Sequence, residues 1–323
     1  MADFQTYSPE DVIAENLRET AARTRTVWEQ EMAHLRELAA QIAEGASLNA
    51  DFPHTLPDHS PPRFRELFEG IRANPRFGKQ LEKLRSTEHS VYLCLELCEW
   101  IKRHAEKISA EELFFEGEEL DEHAKGRIAY QRNSYADSAY LRFAPLLDSP
   151  RALYAHSFSE VCEQVYNGLS EFCILPLESS AEGQLNSFSR LIDRFELKTV
   201  ATCDVPATDG VRSTRFALLR RDAVLLPVPT EIKNRFFECS APLDSTPSPA
   251  QLLCAAQLCG LELFRADSRA TTDEDLPPVR RMHYVFRVER GELLAFLLYL
   301  SMEAPQCEPN GIYFHLEHES KGD

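Results

Sequence analysis

Two short segments of this chain carry residue types that can act on a small acid. The first is Glu178-Ser179-Ser180, and the second is Thr214-Arg215-Phe216, which begins shortly after Arg212. A serine or threonine hydroxyl donates a hydrogen bond to an oxygen that gains negative charge, and an arginine holds a carboxylate through two parallel hydrogen bonds. Together these groups can bind a carboxylic acid and assist the departure of an oxygen from it.

Each of these residues also has a plainer interpretation. Glu178 can act as a base if it is buried, but a carboxylate at this position can equally orient the loop that follows it. Thr214 suits a β-strand by intrinsic preference, Arg215 can be a solvated charge at a strand edge, and Phe216 can belong to the core. The residue types alone leave a reactive site and an ordinary strand end both open.

The elements that must position these residues begin at residue 127, where short β-type runs alternate with helical patterns. The expected strands are 127–130, 152–154, 172–176, 198–203 and 214–219. The expected helices are 135–147, 157–167 and 183–195. This alternation predicts a parallel α/β layer with helices on both faces, in which ligands bind at the carboxyl ends of the strands. Both chemical segments lie next to strand ends.

Different patterns flank this region on either side. Residues 235–317 predict the order strand, helix, strand, strand, helix, strand, which is typical of a ferredoxin-like fold. Apolar residues recur every three or four positions from Pro9 to about Gly45, which predicts one long amphipathic helix. A proline-rich break and three further helical patterns follow, at 63–71, 75–84 and 90–105. The acidic stretch 111–122 predicts a solvated linker.

The composition describes a folded protein with more than one core. The chain has 323 residues, of which 43% are hydrophobic and 10% aromatic, enough for two or three domains. Its formal charge of -17 argues against nucleic acid as a partner, because phosphate binding requires clustered lysine and arginine. An anionic ligand would therefore need a local cationic pocket.

The sequence also predicts the compartment. The longest apolar run, 293–302, is too short to cross a bilayer, and the first residues lack the order of a signal peptide, so we expect a cytoplasmic protein without a membrane partner. The nine cysteines are odd in number and form no CxxC pair. We interpret them as buried hydrophobes in a reducing compartment, and we expect neither a metal nor a cofactor.

These features together resemble the prephenate dehydratase family, which converts prephenate to phenylpyruvate. The run from Ile174 to Gly183 is similar to that family's Pro-Ile-Glu-Asn-Ser-x-x-Gly, and Thr214-Arg215-Phe216 is similar to its Thr-Arg-Phe. Residues 127–131 resemble its opening strand. The C-terminal part resembles an ACT domain, in which Asp267-Ser268-Arg269 stands for a Glu-Ser-Arg effector motif.

The resemblance implies roles for nine residues. Thr214 would donate a hydrogen bond to the departing oxygen. The dicarboxylate substrate would be bound by Arg215, Arg212, Ser179, Ser180 and Glu178. A phenylalanine effector would be bound by Asp267, Ser268 and Arg269.

The resemblance also implies an α/β multidomain architecture. Its four parts are an N-terminal helical bundle at 1–110, an acidic linker at 111–126, a periplasmic-binding-protein-like dehydratase lobe at 127–226 and a ferredoxin-like, ACT-like domain at 232–319. Fused family members carry a chorismate mutase at the place of the helical bundle, which here fits a dimerisation scaffold better. Because ACT domains pair edge to edge, we expect a homodimer.

Four departures from the family leave two functions open. Arg132-Asn133-Ser134 replaces glycines, Ser179 replaces the motif asparagine, and Pro247-Ser248-Pro249 replaces Gly-Ala-Leu. Only 33 residues separate Ser180 from Thr214, where the family has a second lobe with a His-Pro-Gln-Ala motif. The chain is either a divergent dehydratase, whose partner subunit supplies the missing wall, or a non-catalytic protein that binds an aromatic amino or keto acid or regulates a partner enzyme.

Overall fold

The structure is a computed structural model of an α/β protein with one large mixed sheet. It describes residues 9–45, 78–81, 84, 86–104, 125–207, 211–221, 234–271, 279–289 and 291–317. The predicted helix at 63–71, the proline-rich break and the acidic stretch 111–122 lie outside the described residues. Within the described part, no helix combines the length and the apolar character that a bilayer span requires.

The elements follow the predicted order along the chain. The helices are α1 (Pro9–Gly45), α2 (Gly78–Leu81), α3 (Thr87–His104), α4 (Ser134–Phe143), α5 (Phe158–Tyr166), α6 (Asn186–Arg194), α7 (Pro249–Leu258) and α8 (Leu293–Glu303). The strands are β1 (Arg127–Gln131), β2 (Arg151–Ala155), β3 (Phe172–Ser179), β4 (Gly183–Gln184), β5 (Lys198–Pro206), β6 (Ser213–Arg220), β7 (Arg235–Pro242), β8 (Glu262–Thr271), β9 (Val279–Arg287) and β10 (Glu308–Leu316). The long first helix is confirmed, whereas the helix predicted from residue 183 begins only after the short strand β4.

The prediction of a parallel layer is wrong for its last strand, β6, which runs against the other four. β1 pairs in parallel with β2 and β3, but β6 is antiparallel to both β3 and β5. Residues 207–212 alone connect β5 to β6, and a parallel crossover needs a dozen residues or more. The two strands therefore form a hairpin, and the sheet is mixed.

One continuous sheet joins the two regions that the sequence divides at residues 226–232. The strand order is β2-β1-β3-β6-β5-β10-β7-β9-β8, with β4 beside β3. The last strand, β10, pairs in parallel with β5 on one side and antiparallel with β7 on the other. β10 is therefore the strand that joins the two halves of the sheet.

The N-terminal helices share a core with the C-terminal half. Among its described side chains, α1 is buried toward its C-terminal end, through Leu35, Leu38 and Ile42, and it packs against α3. α3 in turn packs against α7 and α8. α8 is buried along almost its whole length, as expected for a helix that is apolar on every side.

Two of the segments that depart from the family pattern cap helices. The Asn133 side chain accepts a hydrogen bond from the Ala136 N–H at the start of α4. Ser248 and Gln251 form a reciprocal capping box at the start of α7, with Pro249 in the first turn. In both places the chain has residues that satisfy the free N–H groups of a helix end.

Candidate functional site

The pairing of β3 with β6 brings the two chemical segments together. Glu178 lies opposite Arg215, and Ser179 lies opposite Thr214. The carboxyl end of β3 therefore meets the amino end of β6, although the two segments are separated by 33 residues in the sequence.

The sheet divides these residues between its two faces. Side chains alternate along a strand, so Thr214 and its neighbour Arg215 point to opposite faces. Glu178 contacts Arg215 on one face, and Ser179 is the partner of Thr214 on the other. Phe216, on the Thr214 face, is buried against the α4 side of the sheet. One small ligand therefore cannot contact both Thr214 and Arg215 from the same side.

Two carboxylates of the protein hold the Arg215 guanidinium. Nε and Nη2 of Arg215 donate to Asp204 Oδ1 and Oδ2 at 2.9 and 3.2 Å, and Nη1 donates to Glu178 Oε2 at 3.5 Å. Asp204, on β5, is the cross-strand neighbour of Arg215, just as Glu178 is on β3. The fork that would bind a ligand carboxylate is occupied by Asp204 in the same bidentate geometry.

The network continues from Asp204 to the C-terminal half. His315 Nε2 on β10 lies 3.4 Å from Asp204 Oδ2, and Thr202 Oγ1 lies 3.0 Å from His315 Nδ1. Burial would raise the pKa of Asp204, but hydrogen bonds to His315 and Arg215 hold its pKa well below the ordinary value. The Asp204 carboxylate is therefore charged. Together with Glu178, Arg215 and His315 it forms one ion network within the protein.

The serines of the first segment have local partners. Ser180 Oγ accepts a hydrogen bond from Ser213 N–H at 2.9 Å, and Ser180 N–H donates to Ser213 C=O at 2.9 Å. Ser179 Oγ accepts from Ala181 N–H at 3.3 Å. Gly183 then reverses the chain with a φ of 74°, a conformation that disfavours other residues. Arg212 is exposed and lies in the link between β5 and β6, directly before Ser213.

A cleft opens where the two halves of the sheet meet, on the Arg215 face. We name it the junction cleft; its volume is about 160 Å³. Its lining includes Arg215, His315, Phe236, Glu238, Phe264, Arg265, Arg287 and Tyr313. It combines cationic and aromatic side chains.

A second cleft adjoins it and contains part of the predicted effector motif. This adjoining cleft, of about 280 Å³, is lined by α6 and by strands of the C-terminal half. Arg269 Nε donates to Asp267 Oδ1 at 2.7 Å, and its Nη1 lies 3.6 Å from Asp193 Oδ1 on α6. Burial raises the pKa of Asp193, and Arg269 opposes that rise. Ser268 is exposed, and strand alternation places it on the opposite face from Asp267 and Arg269.

A largely buried carboxylate, Glu238, lines both clefts. Burial would raise its pKa, but His283, Arg269 and Arg265 lower it below the ordinary value. His283 Nδ1 lies 3.9 Å from Glu238 Oε1, and neither ring nitrogen of His283 has a hydrogen-bond partner. Within the described ranges, no group of three or more histidine, cysteine, aspartate or glutamate side chains could hold a metal ion.

Sequence reasoning missed Asp204, His315, Arg265 and Arg287. Asp204 could have been predicted from the sequence, because a hairpin in which Pro206 pairs with Ser213 also pairs Asp204 with Arg215. No local sequence pattern indicates His315 or Arg265, because they lie near Arg215 only as a result of the pairing of β10 with β5 and β7. That pairing joins strands that lie far apart in the sequence.

No family model matches the chain, and no curated protein matches it. The similar solved structures include a prephenate dehydratase from Streptococcus mutans, with 20% identity and a TM-score of 0.46, over 58% of this chain and 98% of that chain. Another, from Arthrobacter aurescens in complex with L-Phe, has 12% identity and a TM-score of 0.43, over 58% and 89%. GqqA, described as a quorum quenching acylase, has 20% identity and a TM-score of 0.43, over 58% and 94%. Values this low carry no argument about activity, so function has to be argued from the site itself.

Proposed function

We propose that the chain is a non-catalytic protein that binds a small carboxylate of the aromatic amino acid or keto acid class. One observation carries this proposal: Arg215 is bound by Asp204 and Glu178 on one face of the sheet, while Thr214 lies on the other. A dehydratase of the family's kind would use both residues on one substrate. Here a substrate carboxylate would first have to displace Asp204 from a bidentate pair.

A second candidate, a divergent prephenate dehydratase, is favoured by a different observation. Ser179 and Thr214 are direct cross-strand neighbours, so two hydroxyl groups lie on one face at the strand ends. Two such donors can stabilise the charge that develops on a departing oxygen. The aromaticity of the product would then supply the driving force.

One assay decides between the two candidates. The purified chain is incubated with prephenate at neutral pH, and phenylpyruvate is followed by its absorbance in alkali. We expect the spontaneous rate, unchanged in Thr214→Ala. A faster rate that is lost in Thr214→Ala and kept in Thr214→Ser, which retains the hydroxyl, would instead establish the dehydratase.

A further inference from the structure

Among the described residues, helices pack on the first half of the sheet face that carries the junction cleft, and α6 reaches its C-terminal half at Arg269. α5 and α6 pack on β1 and β3 of the first half, and the core formed with α7 and α8 lies on the other side of β7 to β10. On the cleft side, Phe236, Val285 and Tyr313 form a small cluster that includes no helix residue among those described. The described part of the chain therefore leaves a ligand room to approach this cluster.

The charged lining of the junction cleft is mainly cationic, in a chain whose formal charge is -17. Arg215, Arg265 and Arg287 line it, against Glu238 as the acidic residue among the described lining. Arg215 is held by Asp204, Arg265 lies 3.3 Å from Asp267, and Arg287 Nη1 donates to Glu262 Oε2 at 3.3 Å. Arginines nevertheless outnumber acidic side chains in the described lining, which favours an anionic ligand in an acidic protein.

Arg265 and Arg287 each present one buried donor, the Nε–H, that the protein does not satisfy. The Nε atoms of Arg265 and Arg287 are buried and have no hydrogen-bond partner. Arg265 Nε lies 3.3 Å from Asp267 Oδ2 without hydrogen-bond alignment, and Arg287 Nε lies 3.9 Å from Glu289 Oε1. Since buried N–H groups are nearly always paired in folded proteins, these two donors point to an acceptor that arrives with a ligand.

The remaining wall of the cleft is aromatic. The Phe236 ring lies between Phe264, at a centroid distance of 4.9 Å, and Tyr313, at 5.5 Å. The guanidinium carbon of Arg287 lies 5.7 Å from the Phe264 ring centre. Phe264 is 45% exposed, so one large apolar ring at the cleft is still available for contact.

A β-bulge places Phe264 in this position. Leu263 pairs with Phe286 and Arg265 pairs with Val285, so Phe264 is an extra residue in β8. Such a bulge breaks the simple alternation and redirects a side chain. A second bulge occurs at Leu177 in β3, which also lines the junction cleft.

We propose that the junction cleft binds a small aryl carboxylate, with its ring against Phe264 and Phe236 and its carboxylate at the unsatisfied Nε atoms of Arg265 and Arg287. This inference rests on the proposed function and gives it a site. An arginine fork matches the geometry of a carboxylate, and an aromatic wall matches a flat ring. The volume of about 160 Å³ suits a single ring, since drug-sized ligands occupy sites of about 300–1,000 Å³.

The test measures binding of 3-phenylpropanoate to the full chain by isothermal titration calorimetry. The neutral amide of the same acid serves as the matched ligand control. We expect Arg287→Gln to weaken 3-phenylpropanoate binding by at least about tenfold, and the amide to bind the wild type weakly as well. Arg280→Gln removes an exposed arginine from the same strand and should leave affinity unchanged.

Two further variants separate ligand binding from folding. Phe264→Ala removes an exposed ring and should weaken binding several-fold without a change in secondary structure by circular dichroism. Arg287→Lys keeps the charge but loses the fork, so its affinity should fall between those of the wild type and Arg287→Gln.

The outcomes distinguish the site from the proposed function. If wild type, Arg287→Gln and Phe264→Ala bind 3-phenylpropanoate with equal affinity, the junction cleft is not the binding site. The chain would still be a carboxylate-binding protein. No binding by the wild type at millimolar ligand would overturn both. Prephenate turnover that depends on Thr214 would contradict the non-catalytic proposal. The ligand site at the junction cleft would then be judged by the calorimetric binding result alone.

Discussion

At the scale of single residues, the Asp204–Arg215 pair decides what the strand ends can do. The aspartate occupies the two donors with which an arginine grips a carboxylate, and Glu178 contacts a third nitrogen. His315 adds a second favourable partner for Asp204 from the other half of the sheet. An internal carboxylate is thus bound where the family resemblance implies a substrate carboxylate.

We expect Asp204→Asn to lower the free energy of unfolding by about 1–2 kcal/mol at neutral pH. This value lies in the lower part of the range of net free energies that hydrogen bonds to charged groups contribute, because the Asp204 side chain is 34% exposed and water screens the pair. Urea unfolding followed by circular dichroism measures the change. Asp244→Asn, at an exposed position, is the matched control and should change little.

The same variant has a pH dependence of definite sign. The pKa of Asp204 is lowered in the folded state, so its contribution is complete above the ordinary carboxyl pKa of about 4 and is lost as pH falls toward the lowered value. The stability gap between wild type and Asp204→Asn should therefore narrow below pH ~4. A gap that is constant from pH 7 to pH 3 would contradict the pairing.

At the scale of elements, helix caps account for two segments that differ from the family pattern. Ser248 accepts from Gln251 N–H, and the Gln251 side chain accepts from Ser248 N–H, so two free donors of α7 are satisfied. α7 packs against β8, the strand that carries Phe264 and Arg265. The cap therefore supports one wall of the junction cleft through the helix behind it.

We expect Ser248→Ala to destabilise the protein by about 1 kcal/mol, the usual cost of removing an N-cap side chain. Thermal unfolding by calorimetry measures the loss. Ser245→Ala, near α7 but outside its cap, is the control, and an equal loss in both variants would exclude capping as the cause.

The existence and order of the elements could be predicted from the sequence, because apolar periodicity and turn residues are local signals. The direction of β6 could also have been predicted, since the link from Pro206 to Ser213 is too short for a crossover. The bulge at Phe264 could not, because strand alternation carries no sign of an extra residue until the partner strand is known. The homodimer, expected from edge-to-edge pairing, stays a prediction.

At the scale of the whole molecule, the buried cysteines report on packing. All nine are free, and eight are buried; Cys254 is partly exposed. Burial raises the pKa of Cys98, Cys203 and Cys259 to about 12. At neutral pH these thiols are therefore protonated and shielded, which makes them poor nucleophiles.

We expect the native protein to react with a disulfide reagent such as DTNB at Cys254 alone, and at all nine cysteines in denaturant. Cys254→Ser should abolish the fast native reaction while leaving eight thiols titratable after unfolding. Rapid native reaction of several thiols in Cys254→Ser would contradict the packing of α3 against α7 and α8.

The position of β10 in the sheet has a consequence for how the chain is made. Among the strands of the sheet β10 is the last to leave the ribosome, yet it lies between β5 and β7 near the middle. During synthesis the first half must therefore wait with an open edge at β5 until residues 221–316 have been added. That delayed closure makes folding slow, because a contact between distant parts of the chain completes the sheet. Until then the unpaired edge of β5 can pair with another chain, which exposes the nascent protein to aggregation.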